Sequence, residues 1–312
     1  MSDSSSSASD SSSSVSDDSS SLSVSDDSCS NQVKQTPITR QSNRKNTENN
    51  QKLSALELFI QISRTIAAAT EHQLLTYEGV DSETGSEVAY SLDEDRRVEV
   101  VGHRVGYNSY TQTLHINIMP NFIHDCHQPW LSEEKVRMIL SGFITAAESR
   151  LLEIYSGTTI TNFGPPYISS SKQPDQAIIP QNEDIPTVVV EAGWTESVPK
   201  LHQDTSLWLK GGAGFVQVVL LIKWTKITGK RVKAFIEVYD LDPTGNKRLL
   251  QTETILPTPI TTTAQVITIT RGQLFGSAIP AGRNPADTFD LSVDDLRTIA
   301  VRRIRKAGLF PA

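Results

Sequence analysis

Cysteine is nearly absent: Cys29 and Cys126 are the only two in 312 residues. That is too few for a disulfide framework, and it points to a reducing, intracellular setting, nucleus or cytoplasm. Long apolar runs are missing as well. The longest, "FVQVVLLIKW", is strand-sized, well short of the roughly eighteen residues of a membrane span, so no membrane partner is expected. No basic region followed by an apolar stretch opens the chain, which argues against a secretory signal, and nothing resembles an Arg-rich transit peptide. No Lys or Arg precedes Lys34, whereas Asp3, Asp10, Asp17, Asp18, Asp26 and Asp27 carry most of the net charge of -7. The remainder is only mildly acidic and shows no basic footprint for nucleic acid. Phosphate-cradling loops are lacking: "KGGAG" has no Lys-Ser/Thr ending and runs into a strand. "YSGTT" has the wrong flanks for a nucleophile elbow.

What is present divides in two. Residues 1–50 are almost wholly Ser, Asp, Asn, Gln and Thr, with too little apolar surface to offset the entropy of ordering, so a disordered tail is expected. Its "SVSDDSS" and "SVSDDSCS" repeats resemble substrates of acid-directed kinases. Residues 51–312 suffice for a single folded domain. "LSALELFIQISRTIAAA" sets Leu56, Leu58, Phe59, Ile62, Ile66 and Ala69 on one helical stripe behind a Ser54 cap. "RRVEVVGHRVGY" and "QTLHINIMP" form a hairpin pattern. One long helix is expected from Ser132 to Tyr155, ending near Ser156-Gly157. "TVVVEAGW", "FVQVVLLIKWTK" and "RVKAFIEVYDL" read as strands, with a short helix before Gly211-Gly212 and a tight "ITGK" turn between the last two. A helix capped by Ser292 closes the chain. The expected class is α/β (α+β), a mixed central sheet flanked by helices.

The chemistry concentrates in "KQPDQAIIPQNEDIPTVVVEAGW". Asp175 precedes a short apolar segment, and Glu191 closes a run of β-branched residues where a strand interior does not normally accept an acid. Two strands ending at one sheet edge would bring both carboxylates together, as Mg²⁺, which takes one or two protein carboxylates and keeps waters, requires. Pro-Asp, about fifteen residues, an apolar strand and Glu resembles the PD-(D/E)xK nuclease superfamily, particularly its restriction-endonuclease-like branch. "LHINIMPNFIHD", then "PTVVVEAGWTESVPKLHQDTSLWL" and "VQVVLLIKW", follow in that branch's order, so the resemblance runs in pieces over roughly 100–240. It implies a restriction-endonuclease-like core and metal-dependent phosphodiester hydrolysis on DNA, with Asp175 and Glu191 holding Mg²⁺ or Mn²⁺ and a Lys orienting the attacking water.

The sequence departs from the motif where that Lys belongs, two residues after Glu191, which is Gly193. Lys200 is the nearest replacement and Lys223 a second. Asp125 and His124 match the branch's acid and His and are secondary candidates, and Glu148 and Glu153 on the long helix are further acids. The bland alternative makes Asp175 a turn residue, Glu191 a rim acid paired with Lys200, and the whole a catalytically inactive nuclease-fold binding module. His124, Cys126 and His127 crowd together, but no second ligand pair accompanies them, so a surface turn is expected in place of a zinc site. Arg302, Arg303, Arg305 and Lys306 suit a helix C-terminus.

Overall fold

A computed structural model describes residues 53–96, 102–118, 121–260 and 263–312. By its contacts the chain divides into Met1–Gln51 and Lys52–Ala312. The expected disordered tail lies outside the described residues, as does the "RVEVV" half of the first hairpin pattern. The second unit mixes α and β: helices cover several sheets, one of them mixed. No helix among the described residues is long and apolar enough to cross a membrane.

Helix α1 (Ala55–Ala68) starts at Ser54 with a full capping box: Ser54 takes the Glu57 amide and Glu57 takes that of Ser54. Its buried face is Leu58, Ile62 and Ile66, spaced by four, while Leu56 points outward at 65% exposure. With β1 (Gln73–Glu78) and α2 (Ser82–Asp93) it packs on the hairpin β2 (His103–Asn108) and β3 (Thr113–Ile118). These strands order as β1-β3-β2, and a two-residue strand, β5 (Ser171–Lys172), extends the sheet beside β2.

The single long helix expected at Ser132–Tyr155 is three elements. Helix α3 (His127–Leu140) ends before Gly142, which turns the chain at φ 76°. A Thr145 capping box then starts α4 (Ala146–Ser149), and Leu152–Tyr155 is a strand, β4. β4 buys its register from β6 (Gln176–Pro180), antiparallel, with Leu152 opposite Pro180. Over four residues, a helix and a strand that turns Leu152 and Ile154 inward are not told apart by apolar spacing, and tertiary pairing decides between them.

The large sheet runs β10-β9-β8-β7-β6-β4, with β7 (Val188–Gly193), β8 (Val218–Ile227), β9 (Arg231–Leu241) and β10 (Lys247–Leu256). β7 and β8 are parallel, joined through α5 (Val198–Ser206) and a π-helical turn that ends at Gly211 and Gly212. β8 and β9 are antiparallel, as the "ITGK" turn requires. β7 and β8 are buried on both faces, hence their unbroken apolar runs. The two-residue period sends Val188, Val190 and Ala192 to one core and Val189 to the other. Glu191 therefore shares the Val189 face, under α5. The Thr- and Pro-rich region after β10 forms a two-stranded ribbon, β11 (Val266–Thr270) and β12 (Thr288–Ser292), around a short helix, α6 (Arg271–Phe275). Helix α7 (Val293–Lys306), capped by Ser292, and β13 (Phe310–Pro311) complete the chain. Of the basic cluster, Arg303, Arg305 and Lys306 lie in the last turn of α7, and Arg303 stacks on Phe122.

Candidate functional site

The two sheets meet where the chain leaves β5 and enters β6 through Gln173, Pro174 and Asp175 only. In the β6–β7 ladder Gln176 lies opposite Val190 and Ala177 opposite Val189, so the same register carried one residue back sets Asp175 across from Glu191. Both carboxylates are buried, 5% and 3% exposed. They line one cavity of about 30 Å³ together with Lys172, Lys200 and Asp204. The expected trio of Asp175, Glu191 and Lys200 is thus assembled around a single space. Glu191, however, is inside β7, with two strand residues after it.

Each carboxylate is held from a different side. Asp175 Oδ2 accepts the Ala192 amide at 2.7 Å, Oδ1 lies 3.4 Å from Arg104 Nη1, and His124 Nε2 stands 3.5 Å from Oδ2. Arg104 also donates to the Pro174 and Asp175 carbonyls, fixing the turn. Glu191 Oε1 accepts Trp208 Nε1 at 2.6 Å, and its Oε2 is 3.1 Å from Lys172 Nζ. The same ammonium is 3.3 Å from Asp204 Oδ2, which Lys200 Nζ reaches at 2.8 Å from one helical turn away. Lys172 can cross between the sheets because its β2 neighbour is Gly106, where an added Cβ would lie only 3.0 Å from Lys172 Cδ.

Burial opposes every charge here, and the partners decide the outcome. For Asp175, burial is outweighed by His124 and Arg104, so its carboxyl is held down at about 2. For Glu191 burial wins: with Asp175 and Asp204 adding to it against the pull of Lys172, the carboxyl is raised to about 7. Asp204 is kept below the usual carboxylate range despite burial, by Lys172 and Lys200. Lys172 itself, though buried, is held above the ordinary lysine value by Asp204 and Glu191. It is a permanent cation beside a carboxylate that ionises reluctantly. His124 is likewise raised, to about 9: burial would lower it, but Asp175 and Asp125 more than reverse that.

The structure also explains Gly193. A Cβ there would sit 2.6 Å from Leu201 Cδ1 and within 3.2 Å of two more atoms of that side chain, and Leu201 is 1% exposed. Helix α5 packs directly on the strand at this position, so any side chain at 193 must displace that of Leu201. Gly193→Ala is expected to cost roughly 1–3 kcal/mol by overpacking, checked by chemical denaturation; unchanged stability would mean that Leu201 yields freely.

The other candidates separate. Lys223 is not at the cavity: its Nζ donates to the Gly193 and Trp194 carbonyls, at 3.5 and 2.9 Å. Asp125 reaches the site through His124, its Oδ1 2.9 Å from His124 Nδ1. Glu148 pairs with Arg283, and Glu153 accepts the Tyr155 hydroxyl, so both are away from the cavity. The expected surface turn at His124, Cys126 and His127 is instead buried, with all three at most 1% exposed. His127 Nδ1 meets the His124 carbonyl and Cys126 Sγ donates to that of Phe122. The apolar floor under α3 and α7 draws them in. Among the described residues no group of three His, Cys, Asp or Glu side chains is placed to hold a metal.

Lys172, Asp204, Arg104 and Trp208 were not legible as site residues. Asp204 had one signal, its spacing of four from Lys200 on a helix. Lys172 had none, because its role depends on a strand crossing from one sheet to the other. No family model, curated protein or solved structure matches the chain, so its chemistry rests on these residues alone.

Proposed function

We propose that this cavity is the site of a divalent-metal-dependent phosphodiester hydrolase of PD-(D/E)xK type acting on DNA. The observation that carries this is the 3.1 Å contact of Lys172 Nζ with Glu191 in a cavity that Asp175 also lines. It supplies a Lys beside the strand Glu that Gly193 cannot provide, delivered from β5. The donor set fits Mg²⁺ or Mn²⁺. Two buried carboxylates face one polar space, Asp175 raises the cost of ionising Glu191, and the Oδ1 of cavity-lining Asn117 is buried without a hydrogen-bond partner. Two carboxylates with water suffice for Mg²⁺.

In this reading Asp175 and Glu191 would hold the ion, whose chemistry is to polarise a phosphate oxygen and make bound water acidic. The chain's own groups do the rest. Trp208 and the Ala192 amide fix the two carboxylates in orientation. Lys172 and Lys200 place positive charge where a phosphate gains negative charge. Arg104 clamps the turn that carries Asp175.

The second reading, a nuclease-fold binding module without catalysis, is favoured by the size of the space. About 30 Å³ holds about two water molecules, and no phosphodiester. The two readings part in one experiment, nicking of supercoiled plasmid with Mn²⁺ or Mg²⁺ by wild type and Glu191→Ala. The hydrolase gives metal-dependent nicking that Glu191→Ala lowers by about 10²-fold or more, the scale of losing a main electrostatic element. Equal nicking by both marks a contaminant and sinks the hydrolase. No nicking by either, with the plasmid retarded on a gel, selects the binding module.

A further inference from the structure

We propose that the Lys172 ammonium is an intramolecular cation that competes with a divalent ion for Glu191, with Asp204 as the acceptor that retains it when the ion binds. This rests on the two-carboxylate reading above and deepens it, since it makes cation affinity a property set by a residue that is not a ligand.

Glu191 has one oxygen to offer. Its Oε1 is taken by the Trp208 indole at 2.6 Å, and Trp208 is fully buried, so that bond does not yield to solvent. The oxygen left is Oε2, the one that Lys172 Nζ contacts at 3.1 Å. A divalent ion with its waters and an ammonium cannot both use Oε2 in about 30 Å³, a space for about two waters. Binding of the ion therefore requires Lys172 to move.

The structure restricts where it can go. The Lys172 backbone is tied twice, by exchange of both hydrogen bonds with Ile160 at 3.0 Å and by pairing with Gly106 of β2. Its stem passes over Gly106, with Cδ against the space that residue leaves. What is free is the ammonium end, a compact point charge on a flexible stem. Among the described residues, the one other carboxylate it touches is Asp204, at 3.3 Å. Asp204 Oδ2 already accepts Lys200 at 2.8 Å, so this acid holds both lysines and keeps Lys172 paired after it leaves Glu191. Without Asp204, Lys172 would settle on Glu191 alone.

Mn²⁺ alone is the probe, with bound and free ion resolved by electron paramagnetic resonance. In Lys172→Met the dissociation constant is expected to fall at least about 10-fold, because the competing population is gone. Asp204→Asn should weaken binding instead. Both shifts have the sign of a simple change in net charge, so the deciding variant is Lys172→Met/Asp204→Asn, which removes one charge of each sign. Competition keeps its affinity several-fold above that of wild type, whereas net charge alone returns it to wild type. The double variant leaves Glu191 and Lys200 as one buried charge of each sign, whereas Lys172→Met alone leaves an excess negative charge, so the double variant remains informative if Lys172→Met fails to fold. Glu191→Gln, which keeps the shape of the site, should abolish the Mn²⁺ signal.

Glu191-dependent binding that is no tighter in Lys172→Met, or a double variant equal to wild type, overturns the competition and leaves the metal reading standing. Absence of Glu191-dependent Mn²⁺ binding in every variant overturns both.

Discussion

Asp204→Asn is expected to lower the unfolding free energy by about 3–5 kcal/mol, the cost of removing one partner of a buried ion pair and leaving the other's charge behind. Asp204 is 3% exposed, and two ammonium groups converge on its Oδ2. The amide keeps the shape and removes the charge, so packing contributes little to the change. At about 2–4 °C per kcal/mol for a domain of this size, the thermal midpoint should drop by about 10 °C. The control is Lys172→Met/Asp204→Asn, whose loss should be smaller than the sum of the single losses, since the two residues share an interaction. Losses that add would place the stability of this region in α5 packing and not in the ion pair.

Stability should also fall as the solution becomes alkaline, by on the order of 3 kcal/mol between pH 6.5 and 9 from His124 alone. The group is raised from 6.5 to about 9 because the Asp175 and Asp125 carboxylates overcome the burial that would lower it. A cation whose folded pKa lies above its unfolded one contributes fully below the unfolded value, and that contribution is lost as pH rises through the folded value. Glu191 acts in the same direction: its carboxyl is raised from 4.5 to about 7, so the fold bears a rising cost of ionising it across that interval. Asp175 sets the acid limit. It is lowered from 3.8 to about 2, and its contribution disappears only as pH falls through that window. The optimum therefore lies on the mildly acidic side of neutral. Urea midpoints at pH 6 and pH 9.5 measure this. Wild type should lose most of the His124 contribution, while His124→Gln should start lower and show a flatter profile. Parallel profiles would assign the pH dependence to another group. His127, one turn away, is a contrast within the molecule: with burial dominant, it is lowered to about 4 and is neutral throughout this range.

The sequence by itself determined the elements whose signals are local. Ser54 with Glu57, and Ser292 with Asp294 and Asp295 in the first turn, announce helix starts because caps and charges act within one turn. The apolar runs of β7 and β8 announce strands buried on both faces, and Asp175 and Glu191 stand out because acids beside such runs need a partner. Tertiary structure alone decided the rest. Leu152–Tyr155 became a strand because β6 offered it a ladder, although its spacing suits a helix equally. The His124 turn went inward because α3 and α7 close over it. Gly193 is fixed by the Leu201 side chain eight residues on, which α5 lays against the strand. Lys172, the cation at the centre of the site, is placed by a two-residue strand that belongs to one sheet and reaches into the other. Its contact with Glu191 spans 19 residues of chain and two sheets. No spacing rule encodes that contact, because the distance is set by how the layers stack and not by the period of any one element.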